Sequence, residues 1–303
     1  MFSRVIAGAA LVLGLGTLSA CSDIRIEEHD EWGAIFKKYN VEGGFEYYDN
    51  NKERVHLYNK EVCSERFTPA QTFDIFNTLV ALETNVANDE QFKIPAENVT
   101  YYFKDGQLFS DNSASNATAT ALPEWQSEMT LKQAFELGNV AYFKQLSSRV
   151  GNTEMRRYID TMTYGNMNLG NDMANFWFND SLGVTPDEQV GFMKRLYHEE
   201  LPLAPRTQRI TRSLMLKEDT KDYKLWYKQG WGRQDNKNVV WIVGFIETVH
   251  RLKNPKTKMI EPIPHPYFFA LKFSAADGTK DLNEVSLKLL NDLIEVAKIK
   301  QTN

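Results

Sequence analysis

Two runs near the C-terminus, VVWIVGFIETV (239–249) and PYFFALKFSA (266–275), constrain the chain most. Both are dense in β-branched and aromatic residues, so they read as strands that must be covered. Asn254-Pro255 and Pro262-Ile263-Pro264 mark the turn between them. The other strand-like segment lies at the opposite end of the chain. From Gly43, GGFEYYDNNKERVHLYN places two aromatic-rich runs around Asp49-Asn50-Asn51, the pattern of a hairpin. Helical patterns fill the space between, and DLNEVSLKLLNDLIEVAKI closes the chain as an amphipathic helix. Strands, many helices, strands and a last helix predict an α+β domain in which N- and C-terminal strands share one antiparallel sheet. There is no internal repeat and no inter-domain linker.

The helical part begins at TPAQTFDI (68–75) and continues through FNTLVALETN. Phe73, Phe76 and Val80 fall at i, i+3 and i+7, giving one apolar face. Thr68, Pro69 and Gln71 have the spacing of a capping box, with Gln71 reaching back to the Thr68 N–H. Asp74 suits the positive end of the helix dipole. TLKQAFELGNVAYFKQLSSRVG reads as helix, and Thr185-Pro186-Asp187-Glu188 as another helix start. Residues 104–122 are rich in Ser, Asn, Ala and Thr and read as a surface excursion.

The chain has 303 residues, of which 42% are hydrophobic, enough for one large domain or two modest ones. A net charge of -5 argues against a nucleic-acid partner. The N-terminus, MFSRVIAGAALVLGLGTLSAC, carries one cation, a short apolar run and small residues before Cys21. The run is too short and too rich in Gly and Ala for a spanning helix. Leu18-Ser19-Ala20-Cys21 resembles a bacterial lipobox. That implies a signal peptide at 1–20, a lipidated Cys21 with a tether at 21–42, and a domain at 43–303. A lipid on Cys21 would hold the protein at a membrane, and Ser22 after it, by resemblance to enterobacterial lipoprotein sorting, implies the outer membrane over the inner. An ordinary signal peptide cleaved near Ala20, or an N-terminal anchor, is the alternative. Cys63 then has no intrachain partner and reads as a small buried hydrophobe.

In order along the chain, RFTPAQTFDIFNTLVALET (66–84), the LPEWQSEMTLKQAFELGNVAYFKQLSSRVG segment, Tyr164-Gly165-Asn166, Phe176-Trp177, the SLGVTPDEQVGFMKRLYHEELPLAPRTQ segment and Tyr227-Lys228-Gln229-Gly230-Trp231 resemble the class D (oxacillinase-type) serine β-lactamases. These belong to the penicillin-recognising transpeptidase superfamily. The resemblance runs from about Gly43 to about Ala297. It implies an antiparallel sheet flanked by helices, with an adjoining helical region and a cleft between the two.

The same resemblance implies acyl transfer by a Ser of a P-A-S-T-F-K run, activated by a carbamate-bearing Lys one turn later. Here those positions are Gln71 and Asp74: an amide is not a nucleophile, and a carboxylate cannot form a carbamate. Gly138-Asn139-Val140 replaces S-x-V. In the third triplet Lys228 and Gly230 are kept and Gln229 replaces the hydroxyl residue. Asp281-Leu282-Asn283 stands where a carboxylate-binding Arg is expected. Thr72, the nearest hydroxyl, is one residue out of phase. The expectation is a domain without acyl-transfer activity that acts by binding a peptidoglycan stem peptide, a β-lactam or another envelope protein; the alternative is a β-lactam hydrolase with a non-standard nucleophile. Tyr164, Asn166, Trp177, Lys228 and Gly230 are the candidate ligand contacts. His198, His250 and His265 show no ligand spacing, so neither metal nor cofactor is expected.

Overall fold

The computed structural model describes residues 25–95, 100–104, 107–111, 120–121, 128–173, 175–235, 237–253, 256–275 and 281–300. Its first elements are β1 (Arg25–Glu28), α1 (Gly33–Lys38), β2 (Glu42–Asp49), β3 (Arg54–Tyr58), α2 (Lys60–Ser64) and α3 (Asp74–Glu83). Five short strands follow: β4 (Lys93–Ile94), β5 (Thr100–Lys104), β6 (Gln107–Asp111), β7 (Thr120–Ala121) and β8 (Met129–Thr130). Then come α4 (Leu131–Leu137), α5 (Val140–Val150), α6 (Asn152–Met162), α7 (Pro186–Tyr197) and α8 (Pro205–Leu214). The last elements are β9 (Leu216–Asp219), β10 (Tyr223–Gln234), β11 (Lys237–Lys253), β12 (Ile260–Ala275) and α9 (Leu282–Val296).

The two ends of the chain do share a sheet. Its order is β1-β3-β2-β12-β11-β10-β9, and β2 pairs antiparallel with β12, Phe45 opposite Leu271. All its pairings are antiparallel except β1 on β3. Alternation sorts β11 between two cores. Trp241, Val243 and Phe245 face the helical region, while Val240, Ile242 and Ile246 face α1 and α9. The helical region therefore covers one face of the sheet, and the two terminal helices cover the other.

Several expectations need correction. The segment at 21–42, read as a tether leading into a short helix, does contain that helix, α1, but from residue 25 it is no free tether: β1 pairs with β3, and Trp32 and Phe36 are buried against the domain. Residues 1–24, with Cys21, lie outside the described residues. Pro262 and Pro264 are not in a turn but in β12, paired with Arg251 and Val249. They are tolerated because β2 ends opposite Tyr267, leaving that stretch of β12 with one ladder neighbour. Asn254-Pro255 lies outside the described residues. The helix expected through 130–151 breaks at Gly138, whose φ of +64° favours glycine. Asn139 restarts it as α5 by accepting from the Tyr142 N–H. Part of the 104–122 excursion forms a small sheet, β6-β5-β7; residues 105–106, 112–119 and 122 lie outside the described residues.

Other readings agree with the structure. β2 and β3 form the hairpin, and Thr185 with Glu188 forms a capping box on α7 with Pro186 in the first turn. Cys63 is buried and free, and burial pushes its thiol well above the usual range. Phe73, just before α3, and Phe76 and Val80 on it do point inward, but the helix has no exposed face over residues 74 to 82, which are all buried. Among the described residues no helix is long and apolar enough to cross a membrane.

Candidate functional site

The turn Ala70–Phe73 leads into α3 along the flank of β10. Two glycines permit that approach. A Cβ on Gly230 would lie 2.7 Å from the Thr72 nitrogen, and one on Gly232 would lie 2.7 Å from the Ala70 Cβ. Ala70 itself has a φ of +48°, a costly conformation for a residue with a side chain. The chain accepts that strain where it turns Gln71 inward.

Gln71 is buried and its amide bridges three segments. Nε2 donates to the Gly138 carbonyl at 2.7 Å, and Oε1 accepts from the Trp231 backbone N–H at 2.9 Å. This overturns the expected capping box. Thr68 Oγ1 instead donates to the Trp177 carbonyl, and no side chain caps this turn. A buried amide must have partners, and Gly138 and Trp231 offer an acceptor and a donor on opposite sides of it.

Asp74 opens α3, as expected for a carboxylate at a helix N-terminus. Its Oδ2 lies 2.9 Å from Lys228 Nζ, with the two side chains 1% and 5% exposed. Lys228 also donates to the Phe135 carbonyl at 2.7 Å and sits 4.7 Å from the centre of the Phe135 ring. Burial raises Asp74 to about 6, against the downward pull of Lys228. A Cβ on Gly138 would lie 3.0 Å from Gln71 Nε2 and 3.6 Å from Lys228 Nζ. The four positions singled out by motif, Gln71, Asp74, Gly138 and Lys228, thus meet in space.

The candidate ligand contacts fare differently. Tyr164 is buried, packed edge-on against Phe73 and Phe192, and its hydroxyl accepts from Gln189 Nε2 at 3.3 Å. Burial pushes that hydroxyl well above the usual tyrosine range. Asn166 is exposed, but its amide ties down its own loop: Oδ1 accepts from Gly183 N and Asn168 N, and Nδ2 donates to the Ser181 carbonyl. Trp177 is fully buried beside Phe73 and Phe176, and its Nε1 has no hydrogen-bond partner among the described residues. Gly230 acts through its lack of a side chain, as above. Gln229 points to the other face of the sheet, donating to Asn283 Oδ1 and Ser286 Oγ on α9.

Sequence reasoning did not single out Gln189 or the Trp231 N–H. Gln189 donates to both Thr72 Oγ1 and Tyr164 Oη. Thr72 Oγ1 donates its proton to the Pro69 carbonyl at 2.6 Å, which is no base, so its hydroxyl is not poised for attack. The Trp231 N–H is of the kind that stabilises a developing oxyanion; here it is turned on the side chain at position 71.

Helices on both faces of a mostly antiparallel sheet, with these four positions meeting where α3, α4 and β10 converge, define a class. The chain belongs to the penicillin-binding protein transpeptidase domain family, whose model matches residues 39–267. Within that family its likeness is to the class D β-lactamases. It is 28% identical over 242 residues to beta-lactamase OXA-5 of Pseudomonas aeruginosa, covering 79% of this chain and 83% of that one. It is 26% identical over 221 residues to beta-lactamase OXA-48 of Klebsiella pneumoniae, covering 73% and 76%. The crystal structure of the class D β-lactamase YbXI from Nostoc superposes with a TM-score of 0.71 at 26% identity, covering 89% of this chain and 99% of that one.

Proposed function

We propose that this is a non-acylating member of the family, held at the bacterial envelope by lipid on Cys21 and acting by binding. One observation carries the reading. The amide of Gln71 stands at the nucleophile position and is itself hydrogen-bonded to Gly138 and Trp231, beside an Asp74–Lys228 ion pair. An amide supplies no attacking oxygen. Lys228, the cation that would draw a substrate anion, already faces a carboxylate and a carbonyl. Loss of the members of a cooperative catalytic set costs many orders of magnitude in rate.

The same arrangement favours one partner class. Lys228, Tyr164 and Asn166 have their polar groups engaged inside the chain, so a protein of the envelope, met at the surface, is a better partner than a peptidoglycan stem peptide or a β-lactam in the cleft. The reading places the chain in the periplasm on a lipid anchor, at the outer membrane in preference to the inner.

Incubation with benzylpenicillin followed by intact-mass spectrometry tests the chemistry. No added mass is expected. A stable adduct mapped to any side chain would overturn the reading in favour of a hydrolase with a non-standard nucleophile. Photo-crosslinking in cells, set against calorimetry with purified stem peptide, tests the partner. A crosslinked envelope protein with no peptide heat is expected, and saturable peptide binding would reverse the assignment.

A further inference from the structure

Four of the chain's five histidines gather at one end of the sheet, on the face away from Gln71. His29, His56 and His250 border a cavity of 390 Å³, and His265 lies behind, its ring 4.5 Å from that of His250. Two of them face each other. His29 Nε2 lies 3.0 Å from His56 Nδ1, and Glu27 Oε2 lies 3.4 Å from the same His56 nitrogen. Parallel pairing of β1 with β3 is what sets Glu27 beside His56. Glu27, His29 and His56 each present one donor atom within 4.8 Å of the others.

The surroundings hold these groups in place. The His29 ring stacks on Trp32 at 4.1 Å, and the His56 ring stacks on Tyr47 at 4.6 Å. Glu31 Oε1 lies 2.9 Å from His29 Nδ1, and Arg54 donates to Glu27 Oε1 at 2.6 Å. A carboxylate on Nδ1 fixes the His29 proton there and leaves the Nε2 lone pair pointing at His56. Carboxylate-oriented imidazoles of this kind are how proteins set histidines to bind metals. With Arg54 on one oxygen of Glu27, the other oxygen is left towards the imidazoles.

We propose that Glu27, His29 and His56 form a binding site for a divalent cation of the zinc type. Two imidazole nitrogens and one carboxylate oxygen suit such a cation, with a fourth position for water. Binding requires no net proton release from the ligands. The His56 proton leaves Nδ1, which in the free protein donates to His29, and the ring takes one from solvent at Nε2. A bound cation would clamp β1 to the sheet edge just after the segment that carries Cys21. The earlier expectation of no metal rested on His198, His250 and His265, and none of these supplies a donor here. The proposal is independent of the chemistry at Gln71, because the two sites lie on opposite faces of the sheet.

The test uses the full chain stripped with chelator. Zn²⁺ is titrated by calorimetry, and Co²⁺ by its visible ligand-field absorption. One cation per chain is expected, with the intense spectrum of four-coordinate Co²⁺ and a raised melting temperature on Zn²⁺ addition. Glu31→Gln should weaken binding about 10- to 100-fold, the usual effect of losing an outer partner of a metal-bound histidine. His29→Gln and His56→Gln should weaken it further, and His250→Gln should leave it unchanged. Wild-type affinity in both His29→Gln and His56→Gln, or no saturable binding by the wild type, would overturn the proposal. Circular dichroism of the metal-free variants separates lost binding from lost folding; should His56→Gln unfold, His29→Gln and Glu31→Gln read the same site.

Discussion

The two faces of the sheet treat polar groups in opposite ways. On the helical side, Gln71, Asp74 and Lys228 turn inward and engage one another or nearby backbone. On the α1/α9 side, Glu27, His29 and His56 bring one donor atom each within 4.8 Å of the others, and the two histidines border a cavity. The first arrangement is a network turned in on the protein's own groups, in which Asp74 meets Lys228 as an ion pair while Asp74 Oδ1 has no hydrogen-bond partner among the described residues. Such a network specifies a packing, because breaking any member strands the others in low dielectric. The second is held in place from outside, by Glu31 and Arg54, and its donor atoms face one another. Members of the inward-turned network should therefore matter most to folding, and convergent donors most to binding.

Removing one partner of the buried ion pair should give the largest effect. Lys228→Ala leaves the Asp74 carboxylate unpaired in the core and should cost about 3–5 kcal/mol in urea unfolding. The double replacement Asp74→Leu with Lys228→Met should be near neutral or stabilising, as buried pairs often are when exchanged for apolar residues of similar volume. A double variant as damaged as the single would show that the pair's contacts, and not its charge balance, hold the site together.

Gly230→Ala comes next. The added methyl would meet the Thr72 nitrogen at 2.7 Å, an overpacking expected to cost about 1–3 kcal/mol. Gln71→Ala should cost a similar ~1–3 kcal/mol by leaving buried backbone groups of Gly138 and Trp231 unpaired. Neither change should produce penicillin acylation. Gln71→Ser combined with Asp74→Lys and Gly138→Ser asks the converse question, whether the scaffold still supports chemistry. The Gly138 change carries its own strain at a φ of +64°.

Glu46 lies between the two extremes. It is buried on β2, and Oε1 has no hydrogen-bond partner among the described residues. Burial, and then the neighbouring Asp187 carboxylate, raise its pKa from 4.5 to about 9. A folded-state pKa above the unfolded one means a contribution that is full below pH 4.5 and is lost as pH rises toward about 9. Stability should therefore decline over that window, and Glu46→Gln should flatten the decline in pH-dependent melting.

The smallest effect is expected on the other face. In metal-free buffer His29→Gln should change stability by no more than about 0.5 kcal/mol, the range of partly exposed sites outside the inward-turned network. A large metal-free loss at His29 would erase the distinction between the two faces.

Much of the fold was legible in the sequence, for local reasons. The β2–β3 hairpin was written in Asp49-Asn50-Asn51 between aromatic runs. The start of α7 was written in Thr185, Pro186 and Glu188, whose capping contacts lie within three residues. Runs dense in β-branched and aromatic residues marked β11 and β12. The strand β1 was missed because RIEE is charged, with one apolar residue, and owes its place to pairing with β3. The Pro262–Pro264 stretch was misjudged because an edge partner that ends early cannot be seen from the prolines themselves. At the candidate site the residue types were legible and their bonding was not. Gln71 looked like a cap to Thr68 three residues away, yet its partners are 67 and 160 positions distant.

The sequence by itself determined which functional groups stand at the motif positions. An amide at 71 is no nucleophile, and a carboxylate at 74 cannot carry a carbamate, whatever the fold around them. Only the tertiary structure decided what those residues do instead. Whether a carboxylate is solvated or faces a lysine 154 positions away, and whether two histidines 27 positions apart share a point in space, depends on which strands and helices meet. Residue identity fixes the functional groups; long-range packing fixes their partners and their distance from water.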